Sequence, residues 1–561
     1  MIPKSGALLS SAEHLKRVLD EIDRTGPAVK RSQIARSQLR EVDLAVTPEA
    51  RTELYLTVFS GLTYDVESYL KIRGRAKKAS TRRKTIYERI STSLTKIILM
   101  NATARRDRGG SPSDWARLDE TLTTILSASV VRPEFNNLYV LGCFERKKTL
   151  LTQQQRAILL TTGILKFWSG SKAPRIAVIG GGVAGVTAYA TLLRGGADVH
   201  LFERASDLMH LQRHNTTRYL HPHLYDWPMP GSENPVSDLP FMNWSAGYSF
   251  KVVAQLDVQL EKIIEAYGGA PPRTNCTVDE IELERGSRKY TIAAEDHQPE
   301  SGFDVVIVAI GFGVEIPQTY PVDIRSYWDN HPIHSVGRFS AANPGRILVS
   351  GCGDGALVDI LRATFKKFEH QKILKLVPEL SDPEIRNRLL QIESEAESHR
   401  VTMDSDSFLF STEYEQLLSH VRISEAVKKR VATSFDVTFN SSRIGKFKLG
   451  TSILNRVLVH LMLSNGLVSF RQGSVVEINQ IAESPVSDPG FQVKWKKKSA
   501  VYDSVVLRYG VGQARHFKSH FPDIYAAGEA AFDRIANLQI RSEIPSNLGE
   551  LLDECRSGWE T

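Results

Sequence analysis

The sequence predicts an α/β protein: two parallel-sheet units in series with an N-terminal all-helical domain in front of them. Three observations predict it. A strand, glycine turn, helix and second strand follow one another over Arg175–Arg204, a similar run opens at Pro344, and apolar residues recur at helical spacing before residue 170. The expected divisions are a helical domain over 1–170, a first nucleotide-binding fold over 171–343, a second with a helical insertion over 344–515, and a helical segment over 516–561.

In the N-terminal part, Leu54, Val58 and Leu62, and later Leu118, Leu122 and Leu126, fall on single helix faces, the second set after a cap candidate at Ser113. Lys71 to Lys84, KIRGRAKKASTRRK, places eight basic residues together with no acid among them. Only Tyr87 lies nearby as a stacking platform, and charge runs are usually solvated faces, so nucleic acid is not expected as a partner. Thr152-Gln-Gln-Gln155 predicts the cap of an apolar helix running to Trp168, and Ser169 to Lys172 reads as a linker.

Arg175 to Ile179, RIAVI, is a short run of the kind that makes a buried parallel strand. Gly180, Gly182 and Gly185 then occupy the G-x-G-x-x-G positions. The first permits the tight turn, the second lets a pyrophosphate approach the backbone, and the third lets the next helix pack close to the strand. Gly181, Val183 and Ala184 complete the turn, and the helix that follows points its positive end at the phosphates. Val199 to Phe202 is the second strand. Glu203 closes it about twenty residues past the glycines, where a carboxylate accepts ribose hydroxyls, with Arg204 beside it. Strand, glycines, helix, strand and acid in this order predict a Rossmann-like dinucleotide site.

After Glu203 comes Leu208 to Tyr248, dense in His, Arg, Pro and aromatic residues, with Arg218-Tyr-Leu-His-Pro-His-Leu-Tyr-Asp-Trp-Pro228 at its centre. Cys276 to Ile281 and Tyr290 to Ala294 alternate like a hairpin, and Phe303 to Gly313, FDVVIVAIGFG, is a further buried strand ending in glycines, Gly311 among them. This order resembles the FAD-binding half of the two-dinucleotide-binding-domain flavoproteins, whose A-T-G-like signature stands here as Ala309-Ile310-Gly311. The resemblance covers roughly Arg175 to Gly355 and implies FAD at Glu203. It also implies that His221, His223, Tyr225, Asp226 and Trp227 line the flavin or substrate pocket, against the alternative of a well-packed aromatic loop. His223, then His221, are the candidate acid or base, since imidazole titrates near neutral pH, and Asp226 is the candidate that fixes the tautomer. If the segment is extended, both rings project to one face. No Cys or Glu joins His221 and His223 at ligand spacing, so no metal is expected there.

Pro344 to Arg362, PGRILVSGCGDGALVDILR, repeats strand, glycine turn and helix, with Gly351, Gly353 and Gly355 matching the motif in part because the third glycine falls one residue early. Two ligands compete for it. The resemblance to the flavoproteins implies NAD(P)H, whereas the turn also resembles the first motif of S-adenosylmethionine methyltransferases, which usually carry an acid upstream where this chain has Leu348-Val349-Ser350. Phe470 to Ile478, Phe491 to Trp495 and Tyr502 to Gly510 echo the hairpin and closing strand of the first half and favour NAD(P)H or a structural remnant of its site over a methyl donor, with a fold that binds no ligand as the further alternative. No arginine pair marks a 2′-phosphate, so NADH and NADPH are not separated. Asp382-Pro383 predicts the start of an exposed helix reaching Arg400, residues 408 to 465 read as mainly helical, and Phe521 to Ala530 reads as a helix in preference to the strand that its FPDIYAAGEA also resembles.

With 561 residues the chain has length for two to four domains, and its hydrophobic and charged fractions of 42% and 24% are ordinary for a soluble globular protein. A net charge of +7 permits an acidic partner without requiring one. Cys143, Cys276, Cys352 and Cys555 form no C-x-x-C pair, which argues against a disulfide framework, a zinc site and dithiol chemistry. No apolar stretch is long enough to span a bilayer and the N-terminus lacks an apolar leader, so a reducing cytoplasm is expected. The functional expectation is an FAD-dependent oxidoreductase acting on a small molecule, with NAD(P)H as its candidate second cofactor. The alternative is a dinucleotide-binding regulatory or sensor protein whose helical N-terminal domain is the working part.

Overall fold

The computed structural model describes residues 112 to 559 with breaks, the longest at 314–325, 482–489 and 534–543. The helix at Leu54–Leu62 and the basic run at Lys71–Lys84 lie outside the described residues. Two parallel sheets organise the rest, and each begins where a strand–glycine–helix run was read in the sequence.

The first sheet holds β1 (Leu138–Val140), β2 (Arg175–Ile179), β3 (Asp198–Phe202) and β9 (Val305–Val308), all parallel in the order β1-β9-β2-β3. Between β3 and β9 come the two-residue strands β4 (Tyr219–Leu220) and β5 (Gly247–Tyr248), then an antiparallel meander of β6 (Val278–Leu283), β7 (Tyr290–Ala294) and β8 (Glu300–Phe303). The second sheet holds β10 (Gly345–Ser350), β11 (Phe435–Ser441), β12 (Val468–Gln472) and β16 (Ser504–Leu507), parallel in the order β12-β11-β10-β16. Its own meander is β13 (Val475–Ile481), β14 (Gly490–Trp495) and β15 (Lys498–Tyr502).

The two units are built alike down to single hydrogen bonds. Asp304, just before β9, donates its N–H to the Arg175 carbonyl at 2.8 Å and accepts from the Arg175 N–H on Oδ2 at 2.9 Å. Asp503, just before β16, makes the same two bonds to Arg346, at 2.8 and 2.7 Å. The arginines repeat as well, Arg175 lying 4.6 Å over the Phe303 ring and Arg346 5.1 Å over that of Tyr502. In both units a carboxylate thus fixes the register of the closing strand against the first.

Helices cover these sheets. α1 (Pro112–Ser129) and α2 (Leu150–Lys166) pack with α3 (Val183–Arg194) and α4 (Ser249–Tyr267) into the core of the first unit. Buried Thr187 and Thr191 on α3 satisfy their hydroxyls on carbonyls one turn back, at 2.8 and 2.7 Å. α5 (Asp354–Thr364), α6 (Pro383–Ser398), α7 (Asp406–Leu418) and α8 (Ile453–Ser464) build the second core, and α9 (Pro522–Asp533) and α10 (Leu548–Ser557) end the chain. Among the described residues, no helix is long and apolar enough to cross a membrane.

Several expectations are corrected. The stretch before residue 170 is not wholly helical, because Leu138–Val140 adds a strand to the first sheet; Leu138 and Val140 are buried against it. The cap of α2 is Thr149, one turn before Thr152: the two form a reciprocal capping box, at 3.1 and 3.0 Å, since Leu150 and Leu151 already belong to the apolar helix. α6 does begin at Pro383, with the Glu384 N–H capped by Asp382 at 2.8 Å, yet it is not an exposed helix. Ile385, Leu389, Ile392 and Ala396 form a buried stripe along it. The span 408–465 is not continuously helical either, since Phe435–Ser441 alternates like a strand and lies inside the second sheet. Pro522 to Ala530 does fall in a helix, α9, with Phe521 just before it.

Candidate dinucleotide sites and the histidine loop

The first glycine turn joins β2 to α3. Gly180 has φ +107°, and a Cβ there would lie 2.6 Å from the Ala309 carbonyl, so only glycine fits between the two central strands. A Cβ at Gly185 would lie 1.8 Å from the Gly180 carbonyl, which sets how closely α3 can approach. Gly182, the N-cap of α3, is different: a Cβ there meets nothing within 4 Å. Open space thus lies where unpaired helix N–H groups point, the position for an anion.

Gly181 needs its lack of side chain for another reason, since a Cβ would lie 2.7 Å from Leu208 Cδ2 and 2.9 Å from Glu203 Cβ. Glu203 bends over the turn. Its Oε2 accepts from the Gly181 N–H and its Oε1 from the Ala205 N–H, the latter at 2.7 Å. Each carboxylate oxygen has a second acceptor direction, so both retain capacity for a ribose hydroxyl. Val183 opens α3 and is buried, Ala184 is half-buried, and Arg204 is exposed beside the acid. Gly311, past the end of β9 with φ +74°, accepts from the Cys143 thiol at 3.0 Å. All four cysteines are free thiols.

The second turn copies the first. Gly353 is the N-cap of α5, with φ −85° and ψ 174° against −69° and 176° at Gly182, and its Cβ too would meet nothing within 4 Å. A Cβ at Gly351, φ +136°, would lie 2.1 Å from the Arg508 carbonyl, as Gly180 is held by Ala309. The third motif position is Ala356, not Gly355. Ala356 is buried and stands five residues past Gly351, as Gly185 stands five past Gly180. The motif admits alanine there, a signal present in the sequence but missed by counting glycines. Gly355 instead faces Tyr327, 3.1 Å from its missing Cβ.

β11 also identifies the counterpart of Glu203. The Gly180 N–H bonds the Phe202 carbonyl at 2.8 Å and the Gly351 N–H bonds the Asn440 carbonyl at 2.9 Å, so Ser441, the last residue of β11, follows Asn440 as Glu203 follows Phe202. Asn440 ties the strand ends together, accepting from Ser350 Oγ at 2.6 Å and donating to the Arg471 and Gly473 carbonyls at 2.8 and 2.9 Å.

The histidine loop lies against the second unit. Leu224 and Trp227 are in its core, and the Tyr225 hydroxyl donates to the Gly450 carbonyl at 2.7 Å. Residues 224–226 form a 3₁₀ turn, so His221 and His223 do not alternate along an extended segment. The reason is His221 itself: its Nδ1 accepts from the N–H groups of His223 and Leu224, at 3.2 and 3.1 Å, and closes the turn. Its Nε2 is 2.7 Å from the Gln371 amide. Burial, helped by His223 and His370, pushes His221 down to about 4. His223 Nε2 lies 2.9 Å from the Val236 carbonyl, which can only accept, so that nitrogen carries the proton. The tautomer is therefore set by Val236 rather than by Asp226, whose side chain is exposed.

A buried polar chain runs from this loop to the second turn. Asp354, the first residue of α5, accepts from the Ser452 N–H at 2.9 Å and from the Asn455 amide at 2.8 Å, and Asn455 Oδ1 lies 2.7 Å from His370 Nε2. Burial raises the Asp354 carboxyl, against these hydrogen bonds.

Residues 174–397 match the family of pyridine nucleotide-disulphide oxidoreductases. No match is found among curated proteins. Solved structures similar to this chain include a bacillithiol disulfide reductase from Bacillus cereus, 10% identical over 62% of this chain and 81% of the other, with a TM-score of 0.35. Others are a flavin monooxygenase from Stenotrophomonas maltophilia, 12% identical over 61% and 79% with a TM-score of 0.32, and the thioredoxin reductase of Lactococcus lactis, 12% identical over 69% and 97% with a TM-score of 0.31.

Proposed function

We propose a function from the premise that this chain belongs, through residues 174–397, to the superfamily of FAD/NAD(P)-binding oxidoreductases. It is a flavoprotein that holds FAD at the first glycine turn, accepts reducing equivalents from NAD(P)H at the second, and acts on a small molecule. The observation that carries this reading is the repetition of one turn design, with open space above both Gly182 and Gly353 at the start of a helix.

The residues of the first turn fit FAD. The α3 N–H groups meet the pyrophosphate, Gly182 leaves it room, and Glu203 takes the ribose hydroxyls on its remaining acceptor positions. FAD, when bound, supplies hydride acceptance and onward electron transfer. The second turn fits NAD(P)H on the same grounds. With Ser441 in place of an acid, no carboxylate opposes a 2′-phosphate, and Arg471 pairs with Asn440 on the adjacent strand, so the preferred coenzyme is NADPH. His223 keeps its proton on Nε2 and turns Nδ1 into the acceptor, which suits it to take a proton from a substrate. His221 is held neutral by burial and closes its own turn, which suits it to structure. With no C-x-x-C pair in the chain, its own cysteines supply no dithiol step of the kind in the family's description.

The test is spectroscopic. The purified protein is expected to carry flavin or to take up added FAD, and NADPH is expected to bleach it without oxygen faster than NADH does. A chain that neither carries nor takes up FAD overturns the reading of the first turn, and bound flavin that neither coenzyme reduces overturns that of the second.

A further inference from the structure

Beside the first glycine turn, on the solvent side, three side chains of one short stretch converge. We propose that Asp207, His210 and His214 form a binding site for a divalent cation of the zinc class. His210 Nδ1 lies 2.8 Å from Asp207 Oδ1, and His214 Nε2 lies 2.9 Å from Asp207 Oδ2. One donor atom from each residue lies within 4.8 Å of the other two.

The chain builds this convergence locally. Residues 210–213 form one helical turn, which sets His210 and His214 four residues apart on one face, their ring centroids 4.6 Å apart. Asp207 is brought back over that face by Met209, a buried residue in the left-handed region at φ +53°. An L-residue there is strained and needs outside support. Here the Met209 N–H bonds the Gly181 carbonyl at 2.7 Å, anchoring the turn on the glycine loop.

The donor set selects the cation. Two imidazoles and one carboxylate suit Zn²⁺ and its first-row neighbours, whereas Mg²⁺ and Ca²⁺ take mainly oxygen ligands. Ligands about 2.0–2.1 Å from a tetrahedral Zn²⁺ stand roughly 3.3 Å apart, and the three donor atoms, all within 4.8 Å of one another, reach that spacing by side-chain rotation. Three protein ligands leave the outer position for water, consistent with the exposure of both rings. Arg213 is an adverse charge beside the cluster, its Nε 4.0 Å from Asp207 Oδ1. Asp257 holds that guanidinium with two bonds of 2.7 and 2.8 Å, offsetting its charge.

The experiment uses the full chain, stripped with a chelator and titrated with Zn²⁺ by calorimetry and with Co²⁺ by visible absorption. One equivalent of each is expected to bind, Co²⁺ with the intense absorption of a four-coordinate ion. His210→Ala, His214→Ala and Asp207→Asn are each expected to weaken Zn²⁺ by at least about 100-fold, at or above the upper range for losing an outer-shell partner. His200→Ala, away from the cluster, is expected to bind as the parent does. Cu²⁺ on the unmodified chain is expected to show electron-paramagnetic splitting from two ring nitrogens, which reads the site without relying on a variant's folding. Co²⁺ absorbing as the hexaaqua ion, Cu²⁺ without nitrogen splitting, or Zn²⁺ affinity equal in parent and in the His210→Ala/His214→Ala double variant overturns the site and leaves the cluster as imidazoles bonded to a carboxylate.

Discussion

Arg218 and Asp359, 141 residues apart, hold each other through a two-pronged ion pair with both side chains out of solvent. Arg218 comes from the histidine loop of the first unit and Asp359 from α5, behind the second glycine turn. The carboxylate is shared, since Arg508 Nε and Arg362 Nη1 also lie 2.8 Å from its oxygens, and Arg218 lies 3.7 Å over the Tyr327 ring. Burial alone would raise the carboxyl of Asp359, but Arg218 and Arg508 outweigh it and hold the group well below the usual range. The pair therefore anchors the loop on the element that would carry the second coenzyme.

The shared carboxylate makes its two partners unequal. Asp359→Asn removes the one charge that three guanidiniums share in these bonds, whereas Arg218→Met leaves Asp359 with Arg508 and Arg362. Removing one member of a buried pair costs about 3–5 kcal/mol, and Asp359→Asn is expected at or above that range with Arg218→Met below it. Urea midpoints read the order, and equal losses would contradict the sharing.

The glycines of the first turn divide in the same way. Because a Cβ at Gly182 meets nothing within 4 Å, Gly182→Val is expected to fold with an unchanged melting temperature and to lose FAD, its side chain filling the phosphate position. Gly185→Ala drives a methyl to 1.8 Å from the Gly180 carbonyl and is expected to fail to fold. Flavin retained in Gly182→Val would move the pyrophosphate elsewhere.

Gly180 and Gly185 were legible in the sequence because their surroundings leave no room for a Cβ, and Gly182 because the motif reserves its place for an approaching phosphate. The closing strands and α9 were legible because their apolar patterns are local. β11 was not, since Phe435–Ser441 sits between helices and its strand character depends on neighbours in β10 and β12. With β11 missed, Ser441 could not be recognised as the counterpart of Glu203. The place of the histidine loop was equally out of reach: it is fixed by Arg218 on Asp359 and by Tyr225 on Gly450, both distant in the chain.

Acid should loosen the second unit before the first. His221, His370 and His460 are each pushed down to about 4, chiefly by burial, from an ordinary value of 6.5. The folded state keeps them neutral while the unfolded chain takes up protons, so their contribution is complete above about pH 6.5 and is lost as pH falls toward 4. Asp359 stays ionised throughout this window and does not add to the slope. Denaturant midpoints are expected to fall from pH 7 to pH 4.5, and His370→Gln and His460→Gln each to flatten that fall. A flat parent profile would refute the assignment.

Coenzyme choice should follow the last residue of β11. Ser441→Glu restores a carboxylate where Glu203 stands in the first unit, accepting ribose hydroxyls and repelling a 2′-phosphate. On the proposed function, the NADPH-to-NADH ratio of flavin reduction efficiencies is expected to fall by about 100-fold, or roughly 2.7 kcal/mol. An unchanged ratio would place the 2′-phosphate away from Ser441.

The two histidines of the loop should separate by readout. His221 closes a turn with Nδ1 and is neutral well below pH 7, so His221→Ala removes a cap and is expected to lower the melting temperature while the rate of flavin reduction per bound flavin changes little. Asn in its place offers an oxygen to the same two N–H groups and is expected to restore much of the loss. His223 bonds the Val236 carbonyl from Nε2, which leaves Nδ1 as an acceptor, so on the proposed role His223→Ala is expected to retain flavin and lower the rate by about 10²-fold or more. His223→Gln keeps a donor for Val236 without a titrating group, and should recover stability but not rate. If His223→Gln recovers both, or if neither histidine changes the rate, the loop is structural and the proton is handled elsewhere.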